Sequence, residues 1–166
     1  MAEIDKHNLK HWSDKIVNDP EMLAEDKNGK KIGEQGFDGT ITRTYCNIAF
    51  NRICRALGYD STEGMLANDI FKYMQKFWIN PYGTIQEQAE MAHKAASYGD
   101  ICAAGISGSP HGHVAIIYPQ SPMVYSGKWR LYVPFVANVG KNNGIIGTNY
   151  AFDKVPDFFI LGKVPQ

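Results

Sequence analysis

The sequence predicts a single α+β domain, with helices in its first half, one of them opening on a cysteine, packed on an antiparallel sheet of about five strands from its second half. Three observations predict it. Up to Gly99 the apolar residues recur with helical period, whereas from Ile101 onward they fall into short β-type runs separated by glycine- and proline-bearing turns. Glycine (16), tyrosine (9) and phenylalanine (8) are plentiful, which suits strands and turns better than a helical bundle. A chain of 166 residues matches one domain of ordinary size, divided as a polar N-terminal flank over 1–36 and a core over 37–166.

Taken in order, residues 1–40 are polar and punctuated by Asp19-Pro20, Asn28-Gly29, Gly33, Gly36 and Asp38-Gly39. A short helix over 7–17 would be pinned to the core by Trp12, Ile16 and Val17, and 25–31 reads as a solvated turn. The run Gly36-Phe37-Asp38-Gly39-Thr40 leads into a helix over 44–57, with Thr44 as N-cap and Gly58 as left-handed C-terminal stop. From Cys46 the residues at helical spacing are Ala49, Phe50, Ile53, Cys54 and Leu57, so Cys46 belongs to the buried stripe, with Asn47, Asn51, Arg52 and Arg55 mostly opposite. A second helix is predicted over 67–77 from Ile70, Phe71, Met74 and Phe77. A third, over 84–98, opens on the capping box Thr84-x-x-Glu87 and carries Ile85, Ala89, Ala92 and Ala96 as a narrow stripe. Strands are predicted over 101–106, 113–118, 131–139, 145–152 and 158–164.

Charge and composition exclude several functions. Seventeen basic residues balance seventeen acidic ones, so no global field favours nucleic acid, an anionic membrane or an acidic partner. Neither a run of about 18 apolar residues nor a basic-then-apolar leader is present, so no membrane span and no signal peptide are expected. Three cysteines, an odd number, argue against a disulfide framework, and Cys46 and Cys54 stand roughly 12 Å apart on one helix. With no Cys-x-x-Cys or His-Glu-x-x-His motif, and no clear partners for His111-Gly112-His113, neither metal nor cofactor is expected.

The cysteine helix carries the chemistry. First-turn N–H groups and the positive end of the helix dipole stabilise an anion, which favours the thiolate of a cysteine placed there. Free cysteine is also among the most buried residue types, so Cys46 needs a histidine brought to it in space. Alternation in Gly112-His113-Val114-Ala115-Ile116-Ile117-Tyr118 puts His113 on one strand face with Ala115 and Ile117. If the helix packs on that strand, thiol and imidazole meet, and glycine at 112 leaves room for substrate. Asn138, polar in the apolar run Val136-Ala137-Asn138-Val139, is the candidate to hold the imidazole, with Asn149 as alternative. His111 projects to the same face nearer the loop, where it would either line the substrate groove or be plain surface. Cys54 and Cys102 read as inert core, and His7, His11 and His93 as surface.

The order Cys46, His113, Asn138, with helices early and strands late, resembles the papain-like bacterial cell-wall hydrolases of the NlpC and CHAP types. The resemblance covers roughly residues 37–152. It rests on Tyr45-Cys46-Asn47-Ile48-Ala49, Ala67-Asn68-Asp69-Ile70-Phe71-Lys72-Tyr73-Met74, Gly112-His113-Val114-Ala115-Ile116 and Ala137-Asn138-Val139-Gly140. It implies a papain-like core and a thiol-dependent peptidase or amidase. In it Cys46 attacks an amide of peptidoglycan, His113 is the base, Asn138 orients the base, and Tyr45 and Trp78 join His111 in the substrate site. The sequence departs from the Asp-Cys-Ser-Gly signature usual in the NlpC type, having Tyr-Cys-Asn-Ile instead.

The expected protein is therefore a monomeric stem-peptide endopeptidase or N-acetylmuramoyl-L-alanine amidase acting at the cell wall, in the periplasm or outside the cell. Two alternatives share the residues. One is a toxin-type amidase or acyltransferase of the same superfamily, with an inhibitor or immunity protein as partner. The other is a non-catalytic wall-binding module in which Cys46 is core and Trp12, Trp78, Tyr82 and Trp129 form a ligand platform.

Overall fold

The computed structural model describes residues 6–23, 45–109, 111–140 and 142–161. Its first half forms α1 (Lys6–Val17), a single 3₁₀ turn (Pro20–Leu23), α2 (Tyr45–Ala56), α3 (Ala67–Phe77) and α4 (Ile85–Ser97). The second half forms β1 (Cys102–Ile106), β2 (His113–Tyr118), β3 (Val124–Ser126), β4 (Leu131–Val133), β5 (Phe135–Asn138), β6 (Gly144–Gly147), the one-turn helix α5 (Thr148–Ala151) and β7 (Asp157–Ile160). Five strands make one antiparallel sheet in the order β6-β5-β2-β1-β7, and β3 and β4 pair separately as a hairpin. The domain is mixed α+β, with helices preceding most of the sheet.

The helix stops follow the sequence chemistry. Gly58 and Gly99 take φ of +89° and +93° just past α2 and α4, a conformation that costs a glycine little. The Thr84–Glu87 capping box forms in both directions at the start of α4. The Thr44 cap, the 25–31 turn and the 36–40 run lie outside the described residues.

At the centre of the sheet, β2 is buried on both sides: Val114, Ala115, Ile116 and Ile117 are all core. Phe71 and Met74 of α3 lie over Gly105, which pairs with Val114, so α3 covers that face. The β1–β2 register sets His113 opposite Ile106 at one end of the sheet. Against β2 lies α2, with Ala49, Phe50, Ile53 and Cys54 sealed in the core.

Three expectations are corrected. The residues placed opposite the stripe of α2 are not all solvated: Asn47 and Asn51 are buried, because the 59–66 turn folds back over them. Asn47 Nδ2 donates to the Met65 carbonyl at 2.9 Å, and Thr62 Oγ1 donates to Asn51 Oδ1 at 2.7 Å. The strand predicted over 131–139 breaks into β4 and β5 at Pro134, which has no N–H to give a ladder. The strand predicted over 145–152 turns after Gly147 into α5, because both the N–H and the hydroxyl of Thr148 donate to the Pro134 carbonyl. The pinning of α1 holds as expected: Ile16 and Val17 are buried with the residues of α2 and the sheet, Trp12 packs against them, and Leu9 and Met22 add to the same core. The hairpin strand β3 was not foreseen; three residues after Pro122 are too few for a period-2 signal.

The Asn51–Thr62 pair gives a stability test. Thr62→Val keeps the shape but leaves the buried Asn51 oxygen without its donor, which should cost about 1–3 kcal/mol. The urea midpoint should fall at unchanged slope, and an unshifted midpoint would show that the 59–66 turn is not clamped through this bond.

Candidate active site

The packing of α2 on β2 brings Cys46, second residue of the helix, to His113, first residue of the strand. The thiol and the imidazole are hydrogen-bonded. The other ring nitrogen, Nε2, lies 2.5 Å from Asn138 Oδ1, so it is Nδ1 that faces the sulfur. The amide of Asn138 is itself fixed, because its Nδ2 donates to the Asn142 carbonyl at 2.6 Å. Only the oxygen can then point at the ring, and Nε2 must carry the proton that it accepts. Neutral His113 is therefore the Nε2–H tautomer, with its Nδ1 lone pair turned to Cys46.

Three further contacts frame the imidazole. Phe152, after α5, sets its ring at 60° to the imidazole with centroids 4.7 Å apart. Gly140 lies along the Cε1 edge, where a Cβ would come within 3.3 Å of Cε1 and 3.9 Å of Nδ1. Asp153, exposed beside Phe152, adds a negative charge. Burial alone opposes the charged imidazole. The hydrogen bond and negative charge of Cys46, then the bond to Asn138 and the charge of Asp153, outweigh it and hold His113 above its ordinary value of 6.5.

The remaining predicted residues separate. Tyr45 precedes Cys46 in α2 and is buried. His111 sits in the β1–β2 turn, partly exposed, its Nδ1 buried and without a hydrogen-bond partner. Asn68 of α3 holds that turn, accepting from the Gly108 N–H at 3.0 Å and donating to its carbonyl at 2.9 Å. The glycine at 112 serves the same packing, since a Cβ there would collide with the Ile106 carbonyl and Asn68, so substrate access is not what requires it.

Trp78 is not brought to the site. It is 6 % exposed, donates Nε1–H to the Tyr59 hydroxyl at 3.1 Å and packs on Phe50 and Tyr59 beyond the C-terminal end of α2. Its neighbour Ile79 bridges Ile160 at the opposite end of the sheet from His113. The same burial removes it from any aromatic platform, whereas Tyr82 is 90 % exposed. Asn149 belongs to α5 with its Oδ1 buried and unpaired, while Asn138 is the residue that meets the ring.

Cys54 and Cys102 are buried core, and burial pushes both thiols up. His7 and His11 are exposed, and His93 bonds the Gln120 carbonyl through Nε2. Among the described residues no three His, Cys, Asp or Glu side chains gather as metal ligands would, and no helix is long and apolar enough to cross a membrane.

Sequence reasoning missed Phe152, Asn142 and Gly140. Gly140 and Asn142 act through their backbone, which no residue type announces.

Since its contacts raise His113, they contribute stability that is fully present below pH 6.5 and is lost as pH rises through the raised folded-state value. Removing them should lower the His113 titration midpoint, more for Cys46→Ala than for Asn138→Ala, as followed by NMR of the imidazole Cε1 proton. The reverse order would contradict the site described above. Compared with known proteins, the chain matches no family model and none of the curated proteins.

Proposed function

We propose that the protein is a papain-like cysteine hydrolase that cleaves an amide bond of peptidoglycan, within the stem peptide or between sugar and peptide. The observation that carries the hydrolase reading is the unbroken chain from the Cys46 thiol through His113 to Asn138 and the Asn142 carbonyl. A buried core cysteine needs no such partners. Cys54, two turns along the same helix, has none of them among the described residues. The choice of peptidoglycan rests on the resemblance of 45–49, 67–74, 112–116 and 137–140 to the NlpC and CHAP hydrolases.

In the proposed reaction His113 Nδ1 takes the thiol proton and Cys46 Sγ attacks the amide carbonyl carbon. The tetrahedral intermediate collapses as the imidazolium returns that proton to the leaving nitrogen, which departs as an amine and leaves a thioester. Water then attacks the thioester, His113 accepts its proton, and the thiol is re-formed as the carboxylate product leaves. Throughout, Asn138 keeps Nε2–H engaged, so the ring charges and discharges without turning.

Purified peptidoglycan incubated with the protein should release soluble fragments with new amine and carboxylate ends. Cys46→Ala and His113→Ala should each reduce that release by about a thousandfold or more. Undiminished release from a folded Cys46→Ala protein would sink the nucleophile. No release by the wild type, with Cys46 still fast towards iodoacetamide at neutral pH, would leave a cysteine hydrolase of another substrate. A Cys46 as inert as Cys54 would leave the wall-binding module.

A further inference from the structure

We infer that Asn143 is a positioning residue for His113 and that the N-terminal segment, through the Met22 carbonyl, is its anchor. The inference rests on the cysteine-hydrolase reading. The 139–143 turn touches the imidazole system twice: Gly140 lies along the Cε1 edge, and the Asn142 carbonyl holds the amide of Asn138. Neither contact is made by a side chain of the turn, so both depend on where its backbone stands. Asn143 supplies that constraint. Its Oδ1 accepts the Gly140 N–H at 2.9 Å, closing the turn, and its Nδ2 donates to the Met22 carbonyl at 2.6 Å across 121 residues of sequence.

Met22 is not a loose attachment point. Its side chain is 3 % exposed in the core, and its N–H donates to the Asp19 carbonyl at 2.9 Å. Asp19 in turn stands 3.6 Å from Arg52 of α2. The short stretch 19–22 thus touches both halves of the site, the helix that carries Cys46 and the turn that aims His113. A segment that reads as a polar flank is built into the catalytic geometry.

The test reads Cys46 itself, without any wall substrate. The rate of iodoacetamide alkylation of Cys46 is followed against pH by mass spectrometry in the full chain, with Cys54 and Cys102 as buried controls. The variants are Asn143→Ala, Asn143→Ser and Asn138→Ala, with Asn138→Ala/Asn143→Ala as the double variant. Serine can still accept from the Gly140 N–H but is too short to reach Met22, so it isolates the anchor and provides a second variant should alanine not fold. Both Asn143 variants should slow alkylation at mildly acidic pH about tenfold, the scale of one lost hydrogen bond, by weakening the imidazolium that pairs with the thiolate. Their alkaline limb should move down towards that of Asn138→Ala. Of the two contacts only the Asn142 carbonyl is hydrogen-bonded to the imidazole relay, so Asn143 acts chiefly through Asn138 and the double variant should match Asn138→Ala within about twofold. An unchanged pH profile in a folded Asn143 variant, or a further tenfold loss in the double variant, would overturn the inference while leaving the hydrolase standing. A wild-type Cys46 no faster than Cys54 would overturn both.

Discussion

Asn138 can hold its amide in one sense only, and the chemistry of the site follows from that constraint. Its nitrogen is committed to the Asn142 carbonyl, so its oxygen faces His113 and selects the Nε2–H tautomer. A flipped amide would set two donors against one another at Nε2 and two carbonyl oxygens against each other at Asn142. Asn138 is itself 1 % exposed, so its amide has little water to turn to in place of these partners. The lone pair that would accept the Cys46 proton is thus placed by a backbone carbonyl three hydrogen bonds removed from the sulfur. Phe152 packs against the ring and limits how far it can tilt.

The same packing serves stability and chemistry. A helix with a single apolar stripe would ride on the sheet with its polar face in water. In α2 the polar residues nearest Cys46 are also buried, and each is satisfied by the turn that follows the helix. Clamped from both sides, α2 cannot roll, and a small roll would move a thiol at its first turn away from the strand end. On the sheet side, β2 is the middle strand, with β1 and β5 fixing its register. His113 and Asn138 lie on neighbouring strands at the same end, so the sheet sets their separation.

How much was legible in the sequence depended on whether a side chain or a backbone group did the work. Cys46 and His113 stood out because a cysteine and a histidine each began an apolar pattern of known period, and Asn138 because it broke one. The three helix spans around them were equally plain, since Gly58, Gly99 and the Thr84 box are local signals. What escaped acts through carbonyls or through distance. Asn142 contributes its backbone oxygen, Met22 does the same from far along the chain, and neither group has a residue signature. Trp78 illustrates the opposite error. An aromatic near a catalytic helix is attractive as a substrate contact, but sequence does not say at which end of the helix it docks, and its indole had a better partner in Tyr59. Pro134 and Thr148 redirected two predicted strands by similar local chemistry, a missing N–H in one case and a doubly bonded carbonyl in the other.

One helix carries two cysteines in unlike surroundings, and burial does not distinguish them, because both are buried. Around Cys54 the surroundings are apolar. Desolvation penalises the anion there, with the charge of Glu63 acting in the same direction, so the thiol stays protonated and inert. Around Cys46 burial acts on a pair, because the partly buried imidazole is within hydrogen-bond reach and is itself backed by Asn138. Low dielectric strengthens the attraction between a thiolate and an imidazolium as surely as it disfavours either alone. Eight positions along the helix therefore separate a cysteine with apolar surroundings from one with a histidine partner, and what differs is the residue that β2 presents at its start.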